Sequence, residues 1–299
     1  MNIRESILSG SWYPRDPAKI EEFLLPFRKN KAGTYKNAQK PSCRAAIAPH
    51  AGWFYSGRIA ARSVTGLAQG LQSKEKAQTV VIIGGHLPAG MPVLMADEDA
   101  VRTPFGTMTI DSELMELFAG KLDARSDKYQ DNTVEVLVPM VHCLFPGAKL
   151  LWARFPGDMT SFEAGKTLAE AGMALGRELI VLGSTDLTHY GANYAYSPKG
   201  RGKAALDWVR NTNDAAFINA VLNNDPALAL RRADEDRSAC SVGAVLGVMG
   251  YVEKCCEINK VPAVKGELLE YATSAEVNDG EIPDSFVGYA SILWGDNPL

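Results

Sequence analysis

The sequence predicts an α/β protein built as one domain over residues 1–299. Three observations carry this. Short apolar runs rich in β-branched residues alternate with segments of helical period, the pattern of strands joined by helical crossovers. Three of those runs end in the same way: Ala46-Ile47-Ala48-Pro49 delivers His50, Thr79 to Gly85 delivers His86, and Leu179 to Thr185 delivers Asp186 and His189. Finally, no internal repeat, low-complexity tract or linker divides the chain.

Composition narrows the class further. Hydrophobic residues make up 46% and charged residues 22%, enough for a sizeable core without disulfides. A net charge of -4 gives no general attraction to nucleic acid. No apolar run is long enough to span a bilayer. Met1-Asn2-Ile3-Arg4-Glu5 lacks the apolar stretch of a signal peptide, so a cytoplasmic location is expected. Five cysteines, an odd number without zinc-ribbon spacing, read as cytosolic thiols. Cys43, Cys143, Cys255 and Cys256 are expected to be ordinary thiols; Cys240 is treated below.

Taken in order, Asp16-Pro17 starts a helix with Ile20, Phe23, Leu24 and Phe27 at helical spacing. Residues 29–43 read as a polar loop, and a buried strand covers Arg44 to Ala48. After the Ala51-Gly52 turn, Ile59, Ser63, Val64 and Leu67 mark the inner face of a helix. Residues 79–84 are too short and β-branched for anything but a strand, and Gly84-Gly85 allows close backbone approach. Pro92 to Ile110 reads as two strands broken near Pro104-Phe105-Gly106. Asp111 caps a short helix, 124–130 is a loop, and one helix is expected from Thr133 to Leu144. A strand at Lys149–Phe155 precedes a helix with Thr160 and Glu163 as its capping box. The strand at 179–184 leads to a loop, Gly191 to Gly202, long enough to cover a site. Helices follow near 213–223, 226–233 and after Ser238, and two strands, Leu268 to Ala275 and Ser285 to Trp294, close the chain around Asn278-Asp279-Gly280.

The strand ends point to chemistry. The carboxyl edge of an open α/β sheet is where ligands bind, and three of the four histidines follow such ends. Singly, each would read as a hydrogen-bonded structural group. Together they read as one site, a metal site, since imidazole suits iron, zinc and copper alike. Cys240 sits at an expected helix start, where unpaired N–H groups favour a thiolate; the competing reading is a small buried residue at a helix end. Asp186 and His189, three apart, could ligate a metal, orient a ligand or carry a proton, and Asp186 could equally cap a helical turn. Glu135 is either a further carboxylate or a solvated helix-start acid. His142, late in its helix, reads as structural.

These residues fall in motifs that run almost the full length of the chain: Gly10-Ser11-Trp12-Tyr13-Pro14, Ala48-Pro49-His50-Ala51-Gly52 with Tyr55-Ser56-Gly57, Gly84-Gly85-His86, Thr103-Pro104-Phe105-Gly106, Ser184 to Tyr190, and Cys240. In this order and spacing the chain resembles the Memo family, of the AmmeMemoRadiSam system protein B type. The resemblance implies an α/β/α sandwich around a mostly parallel or mixed central sheet, the fold of class III extradiol dioxygenases. It implies His50, His86 and Cys240 as metal-site positions, with Cys240 where the dioxygenases carry a carboxylate. It implies Asp186 and His189 as the pocket's proton-handling groups. Fe(II) is the metal expected first, with Cu or Zn as alternatives, and the expected partners are a small-molecule substrate and the proteins of a radical-enzyme system. The chain departs from the family pattern at Asn132, where a histidine is usual, at Gly85, where a polar residue is usual, and at Ser241, where glycine is usual.

Three functions are therefore in play. The first is an iron-dependent oxygenase or redox enzyme acting on a small aromatic or enediol-like substrate, with His189 as acid/base oriented by Asp186. The second is a metal-binding or redox partner without turnover of its own. The third is a zinc hydrolase, or a Cys240–His189 nucleophile pair. No residue pattern specifies the oligomeric state.

Overall fold

A computed structural model describes residues 1–29, 43–69, 79–277 and 281–295. Most of the expected loop at 29–43, and the Asn278-Asp279-Gly280 turn, lie outside these residues. In chain order the strands are β1 (Ile3–Arg4), β2 (Ala45–Ala48), β3 (Thr79–Leu87), β4 (Val93–Met95), β5 (Ala100–Thr103), β6 (Gly106–Thr109), β7 (Ala124–Ser126), β8 (Lys149–Pro156), β9 (Leu179–Ser184), β10 (His189–Gly191), β11 (Glu267–Thr273) and β12 (Ser285–Trp294). The helices are α1 (Pro17–Lys29), α2 (Trp53–Ala68), α3 (Ser112–Ala119), α4 (Asn132–Glu135), α5 (Val138–Leu144), α6 (Thr160–Ala174), α7 (Lys203–Trp208), α8 (Asp214–Leu222), α9 (Pro226–Asp236) and α10 (Val242–Asn259).

Nine strands form the main sheet in the order β10-β12-β2-β9-β3-β8-β4-β7, with β11 paired to β12. The centre, β2-β9-β3-β8, is parallel; β12 and β4 flank it antiparallel. The sheet is thus mixed and mostly parallel at its core, as expected. A separate small sheet joins β1, β5 and β6.

The central strands are buried on both faces, which is why they read as continuous apolar runs. Their side chains still alternate between two cores. Val80 and Ile82 of β3 pack with Ile180 and Leu182 of β9 beneath α1, α2 and α5. Val81, Ile83 and Val181 point the other way, into a core shared with α6 and α10. Helices therefore cover both faces of the sheet.

Four local readings need correction. The helix expected from Thr133 to Leu144 is two pieces, α4 and α5, because Pro139 in the first turn of the second piece has no N–H to donate to the Glu135 carbonyl four residues back. Residues 124–126 form a strand rather than loop, paired to β4 through Val93↔Ala124. The region from Pro92 to Ile110 holds three strands, because β4 joins the main sheet while β5 and β6 pair as a hairpin. At α6 the side chain that caps is Asp158, whose Oδ1 accepts from the Thr160 N–H at 2.9 Å. The Thr160 hydroxyl donates to the same carboxylate, so Thr160 does not act as the cap.

Candidate metal centre

In the sheet order, β2, β9 and β3 lie side by side, so their carboxyl ends share one edge. At about 4.8 Å per strand, the residues just past those ends fall within one small volume. β2 ends at Ala48 and delivers His50; β9 ends at Ser184 and delivers Asp186; β3 carries His86. Asp186 follows β9, the strand between the two that carry the histidines, and ties it to the end of β2: its Oδ1 accepts the His50 backbone N–H at 2.8 Å. No helix follows Asp186 directly, so its role is to hold this edge rather than to cap.

Cys240 arrives from the opposite end of the chain. It stands just before Ser241, the residue that precedes α10. Its N–H donates to the Asp186 carbonyl at 3.2 Å, and the Ser241 N–H donates to the Thr185 hydroxyl at 3.2 Å. Gly243 seats this helix: a Cβ there would lie 2.1 Å from the Pro156 carbonyl oxygen.

Gly84 and Gly85 explain the close convergence. A Cβ on Gly84 would lie 2.2 Å from Thr133 Oγ1, and one on Gly85 2.4 Å from Ser241 Cβ. Without side chains at both positions, β3 meets α4 on one side and the Cys240 segment on the other. His86 follows with φ of 57°, in the left-handed region. For a residue other than glycine this costs about 1–2 kcal/mol and is typical of functional positions.

The donor atoms of His50, His86 and Cys240 all lie within 4.8 Å of one another. His50 is buried and its Nε2 is 3.2 Å from Cys240 Sγ. An ion bonded at roughly 2.0–2.1 Å to nitrogen and 2.3 Å to sulfur needs these atoms about 3.2–3.6 Å apart, so the pair fits. Both histidines have their second nitrogen engaged: His50 Nδ1 pairs with Ser184 Oγ at 2.8 Å, and His86 Nδ1 with Asp131 Oδ2 at 3.1 Å. That leaves each Nε2 for a metal, the arrangement ligating histidines ordinarily show. Asp131 is itself backed by Arg154, at 3.7 Å.

The charges are mutually dependent. Burial pushes the Cys240 thiol up, but His50 beside it, with His189 and His86, outweighs burial and holds it well below its ordinary value. Burial disfavours the charged form of His86; Asp131 and the Cys240 thiolate more than offset this and push it up to about 10. His50 and His189 are raised by Cys240 and Asp186 against the same burial penalty. The cluster is therefore a thiolate ringed by imidazoles.

His189 stands 4.0 Å from Asp186 Oδ2, and its Nε2 is buried without a protein hydrogen-bond partner. Its ring packs against Tyr194 at 4.8 Å between centroids. These groups face a cleft of about 590 Å³ bordered by His50, His86, Asn132, Asp186 and His189, with Trp12, Phe54, Tyr55, Tyr194 and Tyr289 as aromatic walls. Asn193 and Tyr194 come from the loop expected to cover a site. Asn132 donates to the His50 carbonyl at 3.0 Å.

Two sequence candidates lie elsewhere. The Glu135 Oε1 accepts from the Ile7 and Leu8 N–H groups and the Tyr13 hydroxyl, at 2.9, 2.8 and 2.9 Å. It fastens the N-terminal segment and is neither a ligand nor solvated. His142 pairs with the Thr103 hydroxyl at 2.7 Å, in the structural role expected. Sequence reasoning missed Asp131 as the partner of His86, and it missed Asp214. Asp214 is fully buried and accepts from the Thr188 N–H at 3.1 Å and the Tyr271 hydroxyl at 2.7 Å, which holds the Asp186–His189 segment from behind. The only signal for Asp131 was its place beside the α4 start; Asp214 had none.

Fold and site together define an α/β protein with a His/His/Cys group, suited to a metal ion, at the carboxyl edge of a mostly parallel sheet. The chain belongs to the Memo-like protein family, whose family model matches residues 4–293. It is 31% identical to a MEMO1 family protein of Pyrococcus abyssi over 306 residues, covering 97% of this chain and 99% of the relative. A MEMO1 family protein of Pyrococcus horikoshii is 30% identical, with 97% and 98% covered, and one of Methanococcoides burtonii is 30% identical, with 97% and 99% covered. Among solved structures, an uncharacterized protein of Escherichia coli K12 aligns with 84% of this chain and 99% of its own, at a TM-score of 0.47 and 12% identity. That likeness is too distant to carry function. Among the described residues, no helix is long and apolar enough to cross a membrane.

Proposed function

We propose that the chain is an iron-dependent redox enzyme of the oxygenase type, acting on a small aromatic substrate. The observation that carries this reading is the convergence of the His50, His86 and Cys240 donors, within 4.8 Å of one another, beside a cleft walled by aromatic side chains. His50, His86 and Cys240 would hold the iron, which supplies one-electron chemistry toward dioxygen when bound. The chain's own residues do the rest. Aromatic walls at Trp12, Tyr55 and Tyr194 receive a flat ring by stacking. His189, with its Nε2 buried and unpartnered, accepts the proton of a substrate hydroxyl. Asp186 stabilises the imidazolium so formed from 4.0 Å away.

The test is elemental analysis of anaerobically purified protein beside its His50→Ala variant, followed by oxygen uptake across catechols and phenols. Near-stoichiometric iron that is lost in the variant, with uptake on one member of the panel, is expected. Iron-loaded protein that consumes no oxygen with any of them would overturn the enzyme reading. Iron content unchanged in His50→Ala would overturn the site.

One feature favours a second reading, a metal-binding or redox partner that works in a complex without turnover. A thiolate ligand in place of a carboxylate holds soft metals tightly and alters how iron meets oxygen. A catalytic rate abolished in Cys240→Ala decides for the enzyme.

A further inference from the structure

Among the described residues, two separate cavities border the metal-site group. The front cleft borders His50, His86, Asp186 and His189 but not Cys240. A second cavity of about 230 Å³ borders Cys240, with His86, Ser241, Ala89, Gly157 and Asp234. His86 alone is common to both, and about a third of its side chain is exposed. Cys240 is half-buried and borders this rear space.

Size separates the two cavities. Small-molecule sites usually run from roughly 300 to 1,000 Å³; the front cleft lies within that range and the rear cavity below it. A divalent ion with about six waters, each taking about 30 Å³, occupies roughly 180 Å³. The rear cavity is large enough to admit such a hydrated ion. Its chemistry agrees. The lining has no aromatic wall like that of the front cleft, apart from the His86 imidazole shared by both and the buried Phe155. The Asp234 side chain, an exposed carboxylate, stands at its border to attract cations.

We infer that the rear cavity is the path by which a divalent metal ion enters and leaves the site, while the front cleft serves the organic substrate. This inference rests on the metal-site reading above. A hydrated ion passes Asp234 and meets Cys240 and His86 before the deeply buried His50. At each contact one water leaves the ion and one protein donor replaces it. The thiolate sulfur binds without releasing a proton, any proton carried by an imidazole Nε2 passes to solvent, and no electrons change hands. Loading by this route proceeds whether or not substrate fills the front.

The test follows Co(II) uptake by the thiolate-to-cobalt absorption band, and removal by EDTA, in wild-type protein and three variants. Ala89→Trp narrows the rear cavity, Asp234→Asn removes its charge, and Asn193→Trp crowds the front cleft. Ala89→Trp is expected to slow uptake and removal severalfold with the final absorbance unchanged. Asp234→Asn is expected to slow uptake at low salt, while Asn193→Trp keeps wild-type rates. Wild-type rates in Ala89→Trp, or slow uptake in Asn193→Trp, would overturn the route. Should Ala89→Trp fail to fold, an unchanged low-salt rate in Asp234→Asn overturns it. A wild-type protein that never develops the band overturns the metal reading itself, and the route with it, a result separable from altered rates at a normal plateau.

Discussion

Replacing Gly85 by alanine tests how the site is assembled. The new Cβ would lie 2.4 Å from Ser241 Cβ, 2.6 Å from its Oγ and 2.9 Å from its Cα. Carbon atoms in contact ordinarily sit about 3.5–4.0 Å apart, so Ser241 must retreat by about an ångström. It cannot do so freely. Its N–H is held by Thr185 and that of Cys240 by Asp186, so the retreat strains both bonds and draws Cys240 away from His86. Overpacking of this kind costs about 1–3 kcal/mol, or a fall of roughly 2–12 °C in melting temperature. Displacing a ligand through its support typically weakens metal affinity by about 10–100-fold. The assay is a Co(II) titration beside a thermal melt of the metal-free protein. Gly172→Ala, on α6, serves as control, since its Cβ would press on the side chain of Leu179, at 2.7 Å, and meet the Arg177 carbonyl oxygen only at an ordinary 3.7 Å. Gly85→Ala is expected to lose both stability and cobalt affinity, and Gly172→Ala to retain the affinity. A Gly85→Ala protein with wild-type cobalt affinity and an intact thiolate band would refute the argument that this contact positions Cys240.

Three further outcomes are expected. Glu135→Ala leaves two part-buried backbone N–H groups and the buried Tyr13 hydroxyl without their acceptor, and should cost about 1–3 kcal/mol in urea unfolding while metal stoichiometry stays unchanged. His189→Ala should keep the metal content of the wild type and lose turnover, whereas His86→Ala should lose the metal; elemental analysis of the pair separates proton handling from ligation. Asp214→Asn should change the pH dependence of stability. Burial raises this carboxyl from 3.8 to about 6, against hydrogen bonds from Thr188 and Tyr271. The folded state therefore binds more protons than the unfolded one between these values. The group's contribution is fully present below about pH 4 and lost as pH rises through 6, a change of about 3 kcal/mol. Denaturation curves across pH 4 to 7 should show that slope in the wild type and a flatter line in the variant.

Much of the fold was legible because its signals are local. The buried strands read as short apolar runs, and Asp111 was recognisable as a cap from sequence alone; its Oδ1 accepts the Leu114 N–H at 3.3 Å. Readings failed where a neighbour intervened. Thr160 looked like a cap until Asp158 took its hydroxyl. Glu135 looked like a ligand or a solvated acid because its true partners, Ile7, Leu8 and Tyr13, are more than 120 residues away. Asp214 was invisible for the same reason: what marks it is burial against Thr188 and Tyr271.

By itself, the sequence determined that strands would end on His50, His86 and Asp186, because apolar runs, prolines and glycines act on the backbone within a few residues. Only the tertiary structure decided that these ends are neighbours. Strand order follows from how the crossover helices pack on the sheet, and it sets β9 between β2 and β3. The tertiary structure also decided that Cys240, 190 residues beyond His50, closes the group at 3.2 Å. That approach depends on a glycine in β3 making room for Ser241; the glycine pair announced a close approach, but nothing local in either segment named Ser241 as what approaches.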